Sequence, residues 1–107
     1  MSSFDKRADN FENKFAHDRE LQFKVAARRN RLLGLWAAGL MGMEGDAATA
    51  YAKEVVVADL AEAGDEDVFR KIRGDLDAKS VQQSDHQIRR TMEELFAEAK
   101  AQIQNEG

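Results

Sequence analysis

The sequence contains no cysteine, which excludes disulfide scaffolds, thiolate metal sites, cysteine nucleophiles and thiol redox chemistry together. Proline is also absent, and aromatic residues make up only 7%. With two histidines, His17 and His86, a zinc site built from protein ligands alone is not expected. No apolar run approaches the roughly 18 residues of a membrane span, and the start, MSSFDKRADNFENKF, holds no apolar stretch of signal-peptide length. The expectation is a soluble cytoplasmic protein that does not insert into a membrane.

What is present suits helices. At 107 residues and 43% apolar composition the chain can bury one core, and its Ala, Glu, Lys, Arg and Leu content favours an all-α fold over a β domain. The net charge of -4 argues against a generic nucleic-acid binder but conceals a segregation. Residues 21–43 carry four basic and no acidic groups, whereas 44–69 carry one basic and eight acidic groups.

The helical pattern breaks at Gly42 to Gly45, at Gly64 to Asp65 and at KSVQQS (79–84), leaving four segments. Leu21, Val25, Leu32, Trp36 and Leu40 predict a first helix that runs at least from about Leu21 to Met41, with Gly39 weakening its end. Asp46 can cap a second helix carrying Ala48, Tyr51, Val55, Ala58 and Ala61 and stopped by Gly64. Its VVVA run at 55–58 lies between Ala-rich turns, so a strand is rejected. Asp65 would cap a short third helix that buries Val68, Phe69, Ile72 and Leu76. Ser84 and Gln87 have capping-box spacing and open a fourth, with a stripe of Ile88, Met92, Leu95, Phe96, Ala99 and Ile103. Trp36, Tyr51, Phe69 and Phe96 are the expected large core fillers of a compact four-helix domain over 21–107.

The N-terminus differs from the rest. Phe4, Ala8, Phe11 and Phe15 are spaced i, i+4, i+7, i+11, a stripe within roughly 60° if the segment is helical. Leu21, Val25 and Leu32 fall roughly 70–110° to one side, so one straight helix would not press both faces into the same core. The rest of the segment is mixed charge, and alone it should be frayed or disordered. Residues 1–20 therefore read as a mobile arm that becomes helical on binding, its Phe side chains seated in a partner's groove. The alternative is that Phe11 and Phe15 fold back onto the domain.

Catalytic signatures are missing. The GMEGD loop lacks the Lys and hydroxyl of a phosphate-binding P-loop, and EAGDEDV lacks the ligand spacing of a calcium loop. His17 beside Asp18, and His86 beside Asp85, are adjacencies rather than catalytic pairs. ARRNR at 27–31 is the one basic cluster, in which Arg28 and Arg31 share a side and Arg29 points elsewhere. It reads as a solvated flank paired with the acidic segment, or as an anion site in which Arg28, Arg31 and Trp36 hold a nucleotide or an RNA backbone. The spacing does not select among those ligands.

FDKRADNFENKFAHD (4–18), ARRNRLLGLWAA (27–38), YAKEVVVADLAEAGDEDV (51–68) and KIRGDL (71–76) together resemble the zeta inhibitor subunit of alphaproteobacterial F-type ATP synthases. Gly39 and the SVQQS stretch depart from that pattern without touching the N-terminal motif. The resemblance implies a non-enzymatic four-helix protein whose arm inserts into the catalytic interface of the ATP synthase head and stops hydrolysis while sparing synthesis. Its implied partners are the alpha, beta and gamma subunits, placing it at the cytoplasmic side of the inner membrane as a peripheral component. The implied contact residues are Phe4, Asp5, Lys6, Arg7, Ala8, Phe11, Lys14 and Phe15. No metal or cofactor is expected. A nucleotide-sensing protein that binds ATP or ADP weakly through Arg28, Arg31 and Trp36 is the second reading.

Overall fold

From Ser2 to Leu33 the sequence offers a growing helix neither glycine nor proline, and the first helix uses the whole stretch. The structure, a computed structural model, describes residues 2–59 and 65–106, with side chains from Arg19 onward. Helix α1 spans Ser2–Leu40, α2 Gly45–Asp59, α3 Glu66–Ala78 and α4 Asp85–Glu106. The described residues include no strand, and the VVVA run lies inside α2. The first helix thus includes the expected stretch from Leu21 and continues N-terminally through the arm to Ser2. At 1.5 Å per residue α1 is about 58 Å long, which accounts for the longest dimension of the molecule, 65 Å against 25 and 21 Å.

Helices α1 and α2 form an antiparallel hairpin, α4 packs along α1, and α3 closes the bundle mainly against α2. Two turns follow one design. The Gly42 N–H donates to the Gly39 carbonyl at 3.1 Å and the Met43 N–H to the Ala38 carbonyl at 2.8 Å, the bond pair that ends a helix through a left-handed residue, here Gly42 at φ 79°. After α3, Ser80 donates to Asp77 at 3.0 Å and Val81 to Leu76 at 2.9 Å, but the left-handed residue is Ser80, at φ 59°. Arg73 then holds the α3–α4 connection by donating to the Gln83 carbonyl at 2.5 Å, to Asp77 at 2.7 Å and to Asp85 at 3.1 Å.

Leu33, Val55, Val68, Ile72, Leu76 and Ile88 are fully buried at the centre, with Ala37, Ala38, Tyr51, Phe69 and Met92 around them. Tyr51 and Phe69 are core residues as expected, whereas Trp36 is half-buried against the cluster. Phe96 corrects the expectation: it is 43% exposed, because the stripe of α4 centres on Ile88, Met92 and Ala99 and position 96 falls at its edge.

Two of the expected caps differ in detail. Ser84 Oγ accepts the Gln87 N–H at 3.0 Å, as its spacing predicts, while the Gln87 side chain turns to Thr91. Asp65 precedes α3 but makes no side-chain cap; its carboxylate is taken by Arg29. The second helix begins one residue before Asp46, and the expected stop at Gly64 lies outside the described residues, as does Ala61.

Candidate functional site

Midway along α1, Asp59 of α2 accepts a hydrogen bond from Asn30 Nδ2 at 3.0 Å, and Glu106, the last residue of α4, meets Arg28. Ile103 of α4 and Val56 of α2 share a groove with Phe23. From that level α1 runs about twenty residues further to Ser2, about 32 Å of helix. This stretch carries the contact positions expected from the sequence, Phe4, Asp5, Lys6, Arg7, Ala8, Phe11, Lys14 and Phe15, whose side chains lie outside the described residues.

The helical register of α1 still relates those positions to the bundle. Val25 is buried, at 4%, as expected, and the deepest line of the helix runs through Asn30, Leu33 and Ala37, while Leu21 and Leu32 are only half-buried. Each of positions 8, 11 and 15 precedes its counterpart in that line by 22 residues, which amounts to a rotation of about 40°. The offset between the arm stripe and this deepest line is therefore smaller than the one drawn from Leu21, Val25 and Leu32, the buried arc of the helix being wide enough to include Val25 as well.

The basic cluster divides three ways. Arg28 forks onto Glu106, Nη1 to Oε2 at 2.7 Å and Nη2 to Oε1 at 3.0 Å, and Nη1 also donates to Gln102 at 2.8 Å. Hydrogen bonding from Arg28 holds the Glu106 carboxyl below its usual range and in turn raises the Arg28 pKa. Arg29, which the spacing turned away from the others, is the buried one, 3% exposed; its Nε donates to Asn30 Oδ1 at 2.6 Å and its Nη2 to Asp65 at 2.8 Å. Arg29 is thus paired with the acidic segment but buried rather than solvated, and Arg28 is paired with the C-terminal end of α4. Arg31 stays exposed.

Of the residues read as an anion site, Arg28 and Arg31 come together in a shallow groove of about 490 Å³ between α1, α2 and α4. Trp36 does not join them and packs on the core cluster instead. Phe23, 63% exposed, stands at the groove beside Lys24, with Val56 and Ile103 as its apolar wall. Neither Lys24 nor Arg31 has a carboxylate within ion-pair distance among the described residues.

The described residues hold no group of three or more His, Cys, Asp or Glu side chains arranged for a metal ion, and His86 is exposed. No helix among them is long and apolar enough to cross a membrane.

Sequence reasoning passed over two features. Asn30 and Arg29 form a buried polar line that ties both ends of the α2–α3 connection to α1, through Asp59 and Asp65. An uninterrupted RRN triplet inside an apolar pattern was the available signal. Gly34 was the second, a glycine within a helix and flanked by leucines, which marks a close approach of backbones.

A family model described as ATPase inhibitor subunit zeta matches residues 1–102. A solved solution NMR structure is similar to the chain at 53% sequence identity with a TM-score of 0.72, covering 81% of this chain and 99% of that one. Among curated proteins none matches.

Proposed function

Because the chain belongs to the ATPase inhibitor subunit zeta family, we propose that it inhibits ATP hydrolysis by the head of the F-type ATP synthase by inserting residues 1–20 of α1 into a catalytic subunit interface. It performs no chemistry of its own. The arm supplies an apolar face, Phe4, Ala8, Phe11 and Phe15, and the charged side chains Asp5, Lys6, Arg7 and Lys14 that orient it; residues 21–107 are the domain that presents it. A helix wedged between the alpha and beta subunits beside the rotating gamma subunit obstructs rotation in the hydrolytic sense. The protein works as a peripheral component of the membrane-bound enzyme.

One observation supports this reading most: α1 continues for about 32 Å from the groove at Phe23 to Ser2, with the register of an apolar stripe. Burying each Phe is worth roughly 1.5–3 kcal/mol, enough in sum to order and seat such a segment. The nucleotide-sensing reading draws less support, since Arg28 is already occupied by Glu106 and Trp36 packs elsewhere.

The test adds the purified protein to the ATP synthase of its own source and measures hydrolysis and synthesis separately. The expected result is loss of hydrolysis with synthesis retained. Unchanged hydrolysis at saturating protein rejects the proposal.

A further inference from the structure

Methionine is the only sulfur-bearing residue of this chain, since cysteine is absent, so no thiol competes for an oxidant. Of its four methionines, Met92 is sealed in the core at 4% exposure. Met41 and Met43 are half-buried and stand on either side of Gly42 in the α1–α2 turn. Both pack against the central cluster from the surface, so their thioethers are at once structural and within reach of a small solute.

Met43 occupies a defined place in the turn. Its N–H closes the outer bond of the helix-ending pair, to the Ala38 carbonyl at 2.8 Å, and the residue in that place supplies the apolar contact that seals such a turn. Ala37 and Ala38, both fully buried, belong to the cluster it packs against. After α3 the same place, with its N–H on the Leu76 carbonyl, is filled by Val81, which also packs on the cluster. The fold thus carries an aliphatic side chain, inert to peroxides, in one turn and an oxidisable one at the equivalent place in the other.

We infer that Met41 and Met43 form an oxidation site for peroxides, and that sulfoxide at Met43 reversibly opens the α1–α2 turn. The sulfur lone pair forms an S–O bond as the peroxide O–O bond breaks; the hydroxide released takes the proton of the transferred hydroxyl and leaves as water. Sulfur loses two electrons and the peroxide gains them. The product side chain is polar, so it no longer seals the turn against the cluster that holds Ala37 and Ala38, and the α1–α2 hairpin loosens from that end. The turn follows the C-terminal end of α1, whereas the proposed arm is its N-terminal end, so oxidation acts on the domain and leaves positions 4–15 chemically intact. The site stands independently of the inhibitory role.

The full-length protein is exposed to graded hydrogen peroxide, sulfoxide at each methionine is mapped by peptide mass spectrometry, and the melting temperature is followed. Met41 and Met43 are expected to oxidise about tenfold faster than Met92 or more, with the melting temperature falling by about 4–8 °C. Met43→Leu should hold its melting temperature through the same treatment, Met41→Leu should fall as the wild type does, and Met43→Gln should show the fall without peroxide. Methionine sulfoxide reductase should restore the oxidised wild type. Met92 oxidised as fast as the pair overturns the site. Sulfoxide at Met41 and Met43 with an unchanged melting temperature overturns the opening of the turn, as does an equal fall in Met43→Leu or protection by Met41→Leu instead. A fall that the reductase leaves in place overturns the reversibility.

Discussion

Gly34 of α1 crosses Ala52 of α2 so closely that a Cβ on Gly34 would stand 2.6 Å from the Ala52 Cα and 3.2 Å from both the Ala52 Cβ and a Val55 methyl. The obstacle at 2.6 Å is backbone, which cannot rotate away as a side-chain tip can. The two helices approach at this point because neither presents a bulky residue.

The crossing yields a prediction with an internal control. Gly34→Ala should destabilise the protein by about 1–3 kcal/mol through overpacking, despite the gain in helix propensity. Gly39→Ala, on the same helix with nothing within 4 Å of its added Cβ, should stabilise it by up to about 1 kcal/mol. Urea unfolding midpoints of the two variants should move in opposite directions.

The buried polar line predicts an asymmetry. Arg29→Ala removes a side chain that is 3% exposed and strips Asn30 Oδ1 of its donor, so it should cost about 2–4 kcal/mol. Asp65→Asn touches the same ion pair from its exposed end, 63% exposed, and should cost under about 1 kcal/mol. Equal losses in denaturant unfolding would mean that the pair, rather than the burial of Arg29, carries the energy.

Stability should fall away on both sides of neutrality for identifiable reasons. Glu66 and Glu106 have pKa values lowered from 4.5 by hydrogen bonds from Arg89 and Arg28, so their contributions are present above the unfolded pKa and are lost as pH falls through the folded one. The Tyr51 pKa is raised from 10.0 by burial and by the hydrogen bond it donates to Asp75 at 2.8 Å, so its contribution is present below pH 10.0 and lost as pH rises beyond it. Melting curves against pH should show the acid limb flattened by Glu66→Gln with Glu106→Gln, and the alkaline limb flattened by Tyr51→Phe.

The arm is tested by single truncations in the full chain. Phe4→Ala and Phe11→Ala should each weaken inhibition severalfold and leave the melting temperature nearly unchanged, since positions 4 and 11 precede by twelve residues or more the groove that α1 shares with α2 and α4 at Phe23. Loss of several degrees with inhibition intact would make the arm structural.

Much of this architecture was legible in residue types. Gly42, the KSVQQS stretch and Ser84 end and begin helices by local chemistry, and local chemistry is written in the sequence. Val68, Phe69, Ile72 and Leu76 form the inner side of α3 as their spacing predicts. Which arginine turns inward was not legible, because Arg29 is buried only by virtue of Asp65 arriving from a distant part of the chain. The exposure of Phe96 has the same origin: a residue at the edge of a stripe is inside or outside according to how far the neighbouring helix reaches. For the candidate site, the spacing of the Phe residues was readable, whereas the groove at Phe23 required three helices to be placed before it existed.

A single helix shared by bundle and arm also sets a phase. Each residue turns the axis by about 100° and advances it by 1.5 Å, so once the arm is helical on its proposed partner, the azimuth of positions 4, 8, 11 and 15 follows from the residue count back to the bundle. One alanine inserted after Glu20 would swing that face through about 100°, whereas seven would return it to within about 20° while displacing it by about 10 Å. Length and rotation of the proposed arm thus change together with the residue count of the linking stretch.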